Sequence, residues 1–117
     1  MRVGRIAAEI LGVDGVRLYL DQSLYKEPGG GMTPAHAGQY YWPLASDRVA
    51  TAWILLQPLP REKGTLAFYA RSQSEEFGCD LGISAQSERL ITRHMEESGF
   101  ELCEEPFDLG EVSFHLG

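Results

Sequence analysis

The chain has 117 residues, of which 44% are hydrophobic and 23% charged, and these values predict one folded domain spanning residues 1–117. The formal net charge of −7 argues against nucleic acid as a partner, because no cluster of Lys and Arg is available to neutralise phosphates. No apolar run approaches the roughly 20 residues that span a bilayer, and the N-terminus has no signal-peptide core. The chain is therefore expected to be cytoplasmic, without a membrane partner.

The N-terminal part of the chain predicts one helix and then extended segments. Apolar side chains recur at helical spacing at Val3, Ile6, Ala7, Ile10 and Leu11. Gly12 follows as the residue expected to end the helix. Residues 16–28, VRLYLDQSLYKEP, alternate loosely and are rich in β-formers, which predicts one or two strands. Residues 27–34, EPGGGMTP, predict a flexible loop.

The remainder of the chain predicts short strands around one further helix. The segment AHAGQYYWPL is strand-like, and RVATAWILLQPL predicts a central strand buried on both faces. The segment REKG predicts a turn, and TLAFYARS predicts the strand that returns from it. A helix is expected to begin after Ser84 and end at Gly99, with Leu90, Ile91, His94 and Met95 on one face. FELCEEPFDLGEVSFHLG predicts two more strands. Many short strands with Gly/Pro turns favour an antiparallel sandwich or jelly roll.

His36 is the residue with the clearest chemical context. A histidine on a strand, followed two residues later by Asp or Glu, places imidazole and carboxylate on the same face of a sheet. These groups are two of the three ligands of an iron(II) facial triad. In this chain Gly38 stands at the carboxylate position.

Three segments together resemble the phytanoyl-CoA dioxygenase family: LYKEPGGGMTPAHAGQYYWPL, VATAWILLQPLPREKGTLAFYARSQ and LGEVSFHLG. The likeness covers roughly residues 13–117. Members of that family are iron(II)- and 2-oxoglutarate-dependent oxygenases on a double-stranded β-helix. The resemblance implies a partial fold of this kind, mainly β and cupin-like, with an N-terminal helix and one helix in a long connection. It also implies hydroxylation of a small organic substrate.

The resemblance assigns roles to individual positions. His36 matches the first metal histidine of the family's His-x-Asp motif, and Gly38 replaces its Asp. Lys26 and Trp53 match residues that hold the 2-oxoglutarate cosubstrate. The residues that match the substrate mouth are Gln39, Tyr40 and Tyr41.

Two departures from the family pattern predict weak or absent activity. Without the Asp, one neutral imidazole is a poor site for iron(II). The resemblance also implies that the second metal histidine and the 2-oxoglutarate arginine lie beyond Gly117, so His115 is interpreted as a partly buried strand histidine. One alternative is a non-catalytic ligand-binding or structural module. A lesser alternative is a halogenase-like site, since halogenases of this superfamily carry Ala or Gly at the Asp position to admit chloride.

A C-terminally truncated fold of this type is also expected to expose a sheet edge. Unpaired N–H and C=O groups at such an edge favour pairing with another chain. We therefore expect a homodimer formed through that edge.

Overall fold

A computed structural model describes residues 2–37 and 43–116. These residues form two helices, α1 (Arg2–Leu11) and α2 (Ala85–Glu97), and four strands. The strands are β1 (Ala50–Ile54), β2 (Ala67–Tyr69), β3 (Leu102–Glu104) and β4 (Val112–Leu116). Strand β1 pairs antiparallel with β4, and β2 pairs antiparallel with β3. No helix in the described residues is long and apolar enough to cross a membrane.

Helix α1 confirms the predicted N-terminal helix. Its apolar stripe buries Ala7 and Ala8, and the helix packs against β1. Gly12 follows the helix with φ +64°, a left-handed conformation that glycine adopts without steric cost. The N–H of Gly12 donates to the carbonyl of Glu9, and that of Val13 donates to the carbonyl of Ala8. This pair of hydrogen bonds is a Schellman motif, which satisfies carbonyl groups left open at the helix end.

The strands predicted over residues 16–28 are wrong, because the structure gives this segment no strand. Its apolar side chains are exposed, and it takes part in neither sheet. Alternation creates a strand only where a neighbouring strand supplies hydrogen bonds and a core covers one face. The predicted strand AHAGQYYWPL lies outside any strand at residues 35–37 and 43–44, and its remaining residues lie outside the described part of the chain.

The EPGGGMTP loop is confirmed, and its first residues form a tight turn. Gly30 donates its N–H to the carbonyl of Glu27 at 2.9 Å, and Gly29 has φ +80°. Pro28 and Gly29 are thus the central pair of a type II turn, which favours Pro first and needs a positive φ second. Lys26 immediately precedes this turn.

Strand β1 was predicted to be a central strand buried on both faces, and this prediction is wrong. In the described residues β1 has one strand partner, β4, and is half-buried along most of its length. The REKG turn is confirmed as a short 3₁₀ turn, Arg61–Lys63, ending at Gly64 with φ +79°. The strand after it, β2, pairs with β3 and not with β1. The Arg61 guanidinium helps to hold this arrangement, because it donates to the carbonyl of Glu104 on β3.

Helix α2 confirms the second predicted helix. The Ser84 hydroxyl accepts the N–H of Ser87, and the Ser87 hydroxyl accepts the N–H of Ser84, which forms a capping box. Ile91 and Met95 are buried, whereas Leu90, expected on the same face, is 43% exposed. The buried apolar residues of the described chain are Ala7, Ala8, Leu55, Ile91 and Met95.

The fold agrees with the sequence prediction at the level of antiparallel strands with two helices. Each sheet has two strands in the described residues, and a single β-bridge joins Leu59 to Phe107. A closed barrel is not formed by this part of the chain. The double-stranded β-helix therefore stays a prediction.

Candidate functional site

The residues predicted to bind iron and cosubstrate lie in two parts of the chain. Lys26 and His36 belong to the long connection between α1 and β1, and both are exposed. Trp53 lies in β1 and is half-buried. Gly38 and the predicted substrate residues at positions 39–41 lie outside the described residues. The convergence of Lys26, His36 and Trp53 in one pocket stays a prediction.

His36 has a defined orientation in this connection. Its Nδ1 lies 2.8 Å from the carbonyl oxygen of Pro34. A carbonyl oxygen only accepts hydrogen bonds, so Nδ1 carries the proton and Nε2 carries the lone pair of the neutral ring. Metal-binding histidines commonly fix their second nitrogen in this way. In tautomer and orientation, His36 therefore suits a metal ligand.

The other side chains of the chain do not complete an iron site around it. No group of three or more His, Cys, Asp or Glu side chains in residues 2–37 and 43–116 is arranged to hold a metal ion. The residues outside these ranges contain no side chain of these four types. An iron(II) facial triad needs two histidines and a carboxylate with open positions beside them. The residues present do not fit that centre.

Trp53 shares one face of the β1–β4 sheet with a group of polar residues. The register places Trp53 opposite Ser113, and Thr51 opposite His115. Directly opposed residues of an antiparallel pair point to the same face. The Trp53 ring meets Phe107 edge to face, with centroids 5.9 Å apart and an interplanar angle of 80°. The proposed cosubstrate tryptophan thus belongs to an ordered, partly apolar surface.

His115 is a partly buried strand histidine, as the sequence indicated. Its Nε2 lies 2.8 Å from the Ser113 hydroxyl, and its ring meets Phe68 of β2 with centroids 4.8 Å apart. This contact joins the two sheets. Burial lowers the pKa of His115 below the ordinary value of 6.5, because loss of water disfavours the charged imidazolium.

The lowered pKa of His115 predicts a pH-dependent stability. In the unfolded chain this ring binds a proton near pH 6.5, and in the folded chain only at lower pH. Its contribution to stability is therefore complete above pH 6.5 and declines as the pH falls towards the folded-state pKa. We expect His115→Gln to make the loss of unfolding free energy below pH 6.5 shallower, as measured by urea titration. Equal slopes in wild type and His115→Gln would contradict the prediction.

A second histidine cluster was not foreseen from the sequence. His94 of α2, which was predicted to lie on one face of the helix with Leu90, Ile91 and Met95, has Nε2 3.0 Å from a carboxylate oxygen of Glu75. Phe77 stacks on the same ring, with centroids 4.1 Å apart and planes at 15°. These partners lie 17 and 19 positions before His94 in the chain, and no spacing motif connects them. These contacts hold the segment that precedes α2, which contains Glu75 and Phe77, against the helix.

Two grooves on the described surface lie along α2. One, of about 710 Å³, is lined by residues of α2 alone, and another, of about 310 Å³, by residues 81–90. Neither contains a residue predicted to bind iron, cosubstrate or substrate. These two grooves therefore add no support for the predicted pocket.

Comparison with known families identifies the class of protein. The sequence model of the phytanoyl-CoA dioxygenase (PhyH) family matches residues 1–88. The chain therefore belongs to the phytanoyl-CoA dioxygenase family. No curated protein and no solved structure matches it.

The matched range contains Lys26, His36 and Trp53 and ends within the first turn of α2. It begins earlier than the resemblance described from the sequence. The continuation of that resemblance into LGEVSFHLG lies outside the match and stays a prediction.

Proposed function

We propose that this chain is a phytanoyl-CoA dioxygenase-like protein whose 117 residues carry out the family reaction very weakly or not at all. That reaction is the iron(II)- and 2-oxoglutarate-dependent hydroxylation of a small organic substrate. Membership of the family supports the reaction class. The lack of a complete set of iron ligands among the available side chains supports the low activity.

The set of side chains that could bind iron is the observation on which the proposal depends. His36 is the one residue with both the sequence context and the tautomer of an iron ligand. Gly38 supplies no carboxylate, and the remaining His, Cys, Asp and Glu side chains form no metal-binding group in the described chain. Hard divalent cations favour anionic oxygen ligands, so the lost Asp removes both a ligand and a compensating charge.

Lys26 and Trp53 are the residues proposed for 2-oxoglutarate. The Lys26 ammonium would pair with a carboxylate of this dianion, and the Trp53 indole would cover its carbon chain. An exposed ammonium forms only a weak ion pair, because water and salt screen it. Bound iron would share the negative charge of 2-oxoglutarate with Lys26. We therefore expect the absence of iron to weaken 2-oxoglutarate binding as well.

A non-catalytic ligand-binding or structural module is the second candidate. The half-buried surface formed by Trp53 and Phe107 favours it, since an aromatic surface of this kind binds apolar groups without a metal. The halogenase-like alternative needs the same iron as the hydroxylase. It is therefore subject to the same test.

Formation of succinate from 2-oxoglutarate tests the proposal. The chain is incubated with iron(II), ascorbate and 2-oxoglutarate in air, and succinate is quantified. We expect no more succinate than with His36→Ala, because one imidazole does not retain iron in a reactive geometry. Sustained succinate formation that His36→Ala abolishes would overturn the proposal. Quenching of tryptophan fluorescence by 2-oxoglutarate in wild type, but not in Trp53→Phe, would favour the ligand-binding module.

A further inference from the structure

Strand β4 carries a serine and a histidine that form a hydrogen-bonded pair. Ser113 and His115 are two positions apart on the strand, so their side chains lie on the same face. The Ser113 hydroxyl oxygen lies 2.8 Å from Nε2 of His115. A hydroxyl within hydrogen-bond reach of an imidazole is the arrangement of a nucleophile beside its general base. The iron and cosubstrate roles proposed above use neither residue.

The imidazole of His115 is suited to accept a proton. Burial keeps its pKa below the ordinary value of 6.5, so the ring is mostly neutral at pH 7. When the neutral ring carries its proton on Nδ1, Nε2 has the lone pair that accepts the hydroxyl proton of Ser113. The Phe68 ring packs edge to face against the imidazole and restricts its rotation. Phe68 thus positions the base, although it adds no negative charge to stabilise an imidazolium as the carboxylate of a catalytic triad does.

Aromatic side chains flank the pair on both sides. Trp53 lies directly opposite Ser113 and therefore shares its face of the sheet. The Trp53 ring contacts Phe107, and Phe68 lies against His115 at the other end of the pair. Phe68 is 37% exposed and the other two rings are half-buried, so a small molecule can reach this face. A neutral ligand with an apolar chain suits the face better than an anion, because the protein carries a net charge of −7.

We propose that Ser113 and His115 form an acyl-accepting site for neutral esters of short apolar acids, with Ser113 as the nucleophile and His115 as the general base. The Ser113 oxygen bonds to the ester carbonyl carbon while its proton passes to Nε2 of His115. The ester C–O bond then breaks, and the alcohol leaves with that proton. Water hydrolyses the remaining serine ester, again with His115 as the base, which releases the acid and restores the hydroxyl. The reaction needs neither a metal nor an oxidant, so it does not depend on the function proposed above.

Release of p-nitrophenol from p-nitrophenyl butyrate at pH 7 tests the proposal. The butyryl chain is expected to lie on the aromatic rings, with the ester carbonyl beside the Ser113 oxygen. We expect a burst of about one equivalent of protein, followed by slower release. The burst arises because p-nitrophenolate is a better leaving group than the serine alkoxide, so the serine ester forms faster than it is hydrolysed. Peptide mass spectrometry of the quenched protein should locate a butyryl group on Ser113.

Two substitutions test the roles of the pair. Ser113→Ala removes the nucleophile and should abolish the butyryl group at this position together with the burst that it produces. His115→Gln removes the base and should slow the labelling of Ser113 by about tenfold or more. The position of the label is decisive, because the free thiols of Cys79 and Cys103 also react with such esters. Labelling of these cysteines should be the same in all variants.

Ser72→Ala is the matched control, because Ser72 is also half-buried but its hydroxyl donates to the carbonyl oxygen of Tyr69. This variant should label Ser113 at the wild-type rate, and circular dichroism should show that all variants keep the helices. A Ser113 that stays unlabelled in wild type would overturn the proposal. So would labelling of Ser113 that His115→Gln leaves unchanged, or equal slowing by Ser72→Ala and His115→Gln.

Discussion

Gly38→Asp is expected to tighten iron(II) binding by about tenfold or more, equivalent to roughly 1.4 kcal/mol, when measured by anaerobic calorimetry. The substitution restores the carboxylate of a His-x-Asp motif two positions after His36. An anionic oxygen ligand is added, and the charge of the dication is partly compensated.

Ala37→Asp is the control for this experiment, because it adds the same charge at the neighbouring position. In the strand expected for the family's His-x-Asp motif, residues next to each other point to opposite faces, so this carboxylate should not join the imidazole. Its affinity for iron(II) should stay within about twofold of wild type, as expected for a purely electrostatic gain between exposed groups. Equal tightening by both variants would show that His36 and position 38 do not converge on a metal.

Gly78→Ala is expected to cause the largest loss of stability, about 2–4 kcal/mol in urea unfolding. Gly78 is buried with φ +88°, where any side chain is strained. A Cβ at this position would also lie 3.0 Å from Cγ1 and 3.1 Å from Cδ1 of Ile91, a core residue that is 5% exposed. The variant therefore combines backbone strain with overpacking against α2.

Gly110→Ala separates the two contributions. Gly110 has a similar φ of +83°, but a Cβ there would meet no atom within 4 Å. This control should lose only about 1–2 kcal/mol, the cost of the left-handed conformation. Adding Ile91→Val to Gly78→Ala removes Cδ1, and the double variant should lose less than the sum of the single changes. Equal losses for Gly78→Ala and Gly110→Ala would contradict the proposed packing.

Both helices could be predicted because their signals are local. The end of α1 at Gly12 and the start of α2 at Ser84 depend on hydrogen bonds between residues a few positions apart. Capping residues and the spacing of apolar residues indicate such contacts directly from the sequence. Turn signals were reliable for the same reason, as the REKG turn before Gly64 shows.

The strand predictions failed where the outcome depends on distant partners. VRLYLDQSLYKEP has the alternation of a strand, but a strand forms only with a neighbour, and the described chain provides none. Strand β1 has the composition of a central strand, yet among the described residues it pairs with β4 alone. The paired residues of β1 and β4 are 58 to 66 positions apart, and such distant pairing cannot be read from the residues of either strand considered separately.

The sequence led to a hypothesis about the chemistry of the candidate site, but it gave little information about the site's geometry. The sequence marked His36 as a metal ligand with Gly38 in place of the carboxylate, and the family match covers both positions. It could not indicate that Trp53 shares a sheet face with Ser113 and His115, because that neighbourhood arises from the β1–β4 register. The stacking of Phe77 on His94 is likewise a product of tertiary packing.

The retention of iron by a single histidine is the question on which the functional proposal depends. An anaerobic calorimetric titration of wild type and His36→Ala with iron(II) addresses it without any need for a substrate. Two isotherms that are both weak and nearly superimposable are predicted, since an isolated imidazole adds little affinity for this ion. Tight one-to-one binding in wild type, lost in His36→Ala, would instead reveal a complete metal centre and contradict the account.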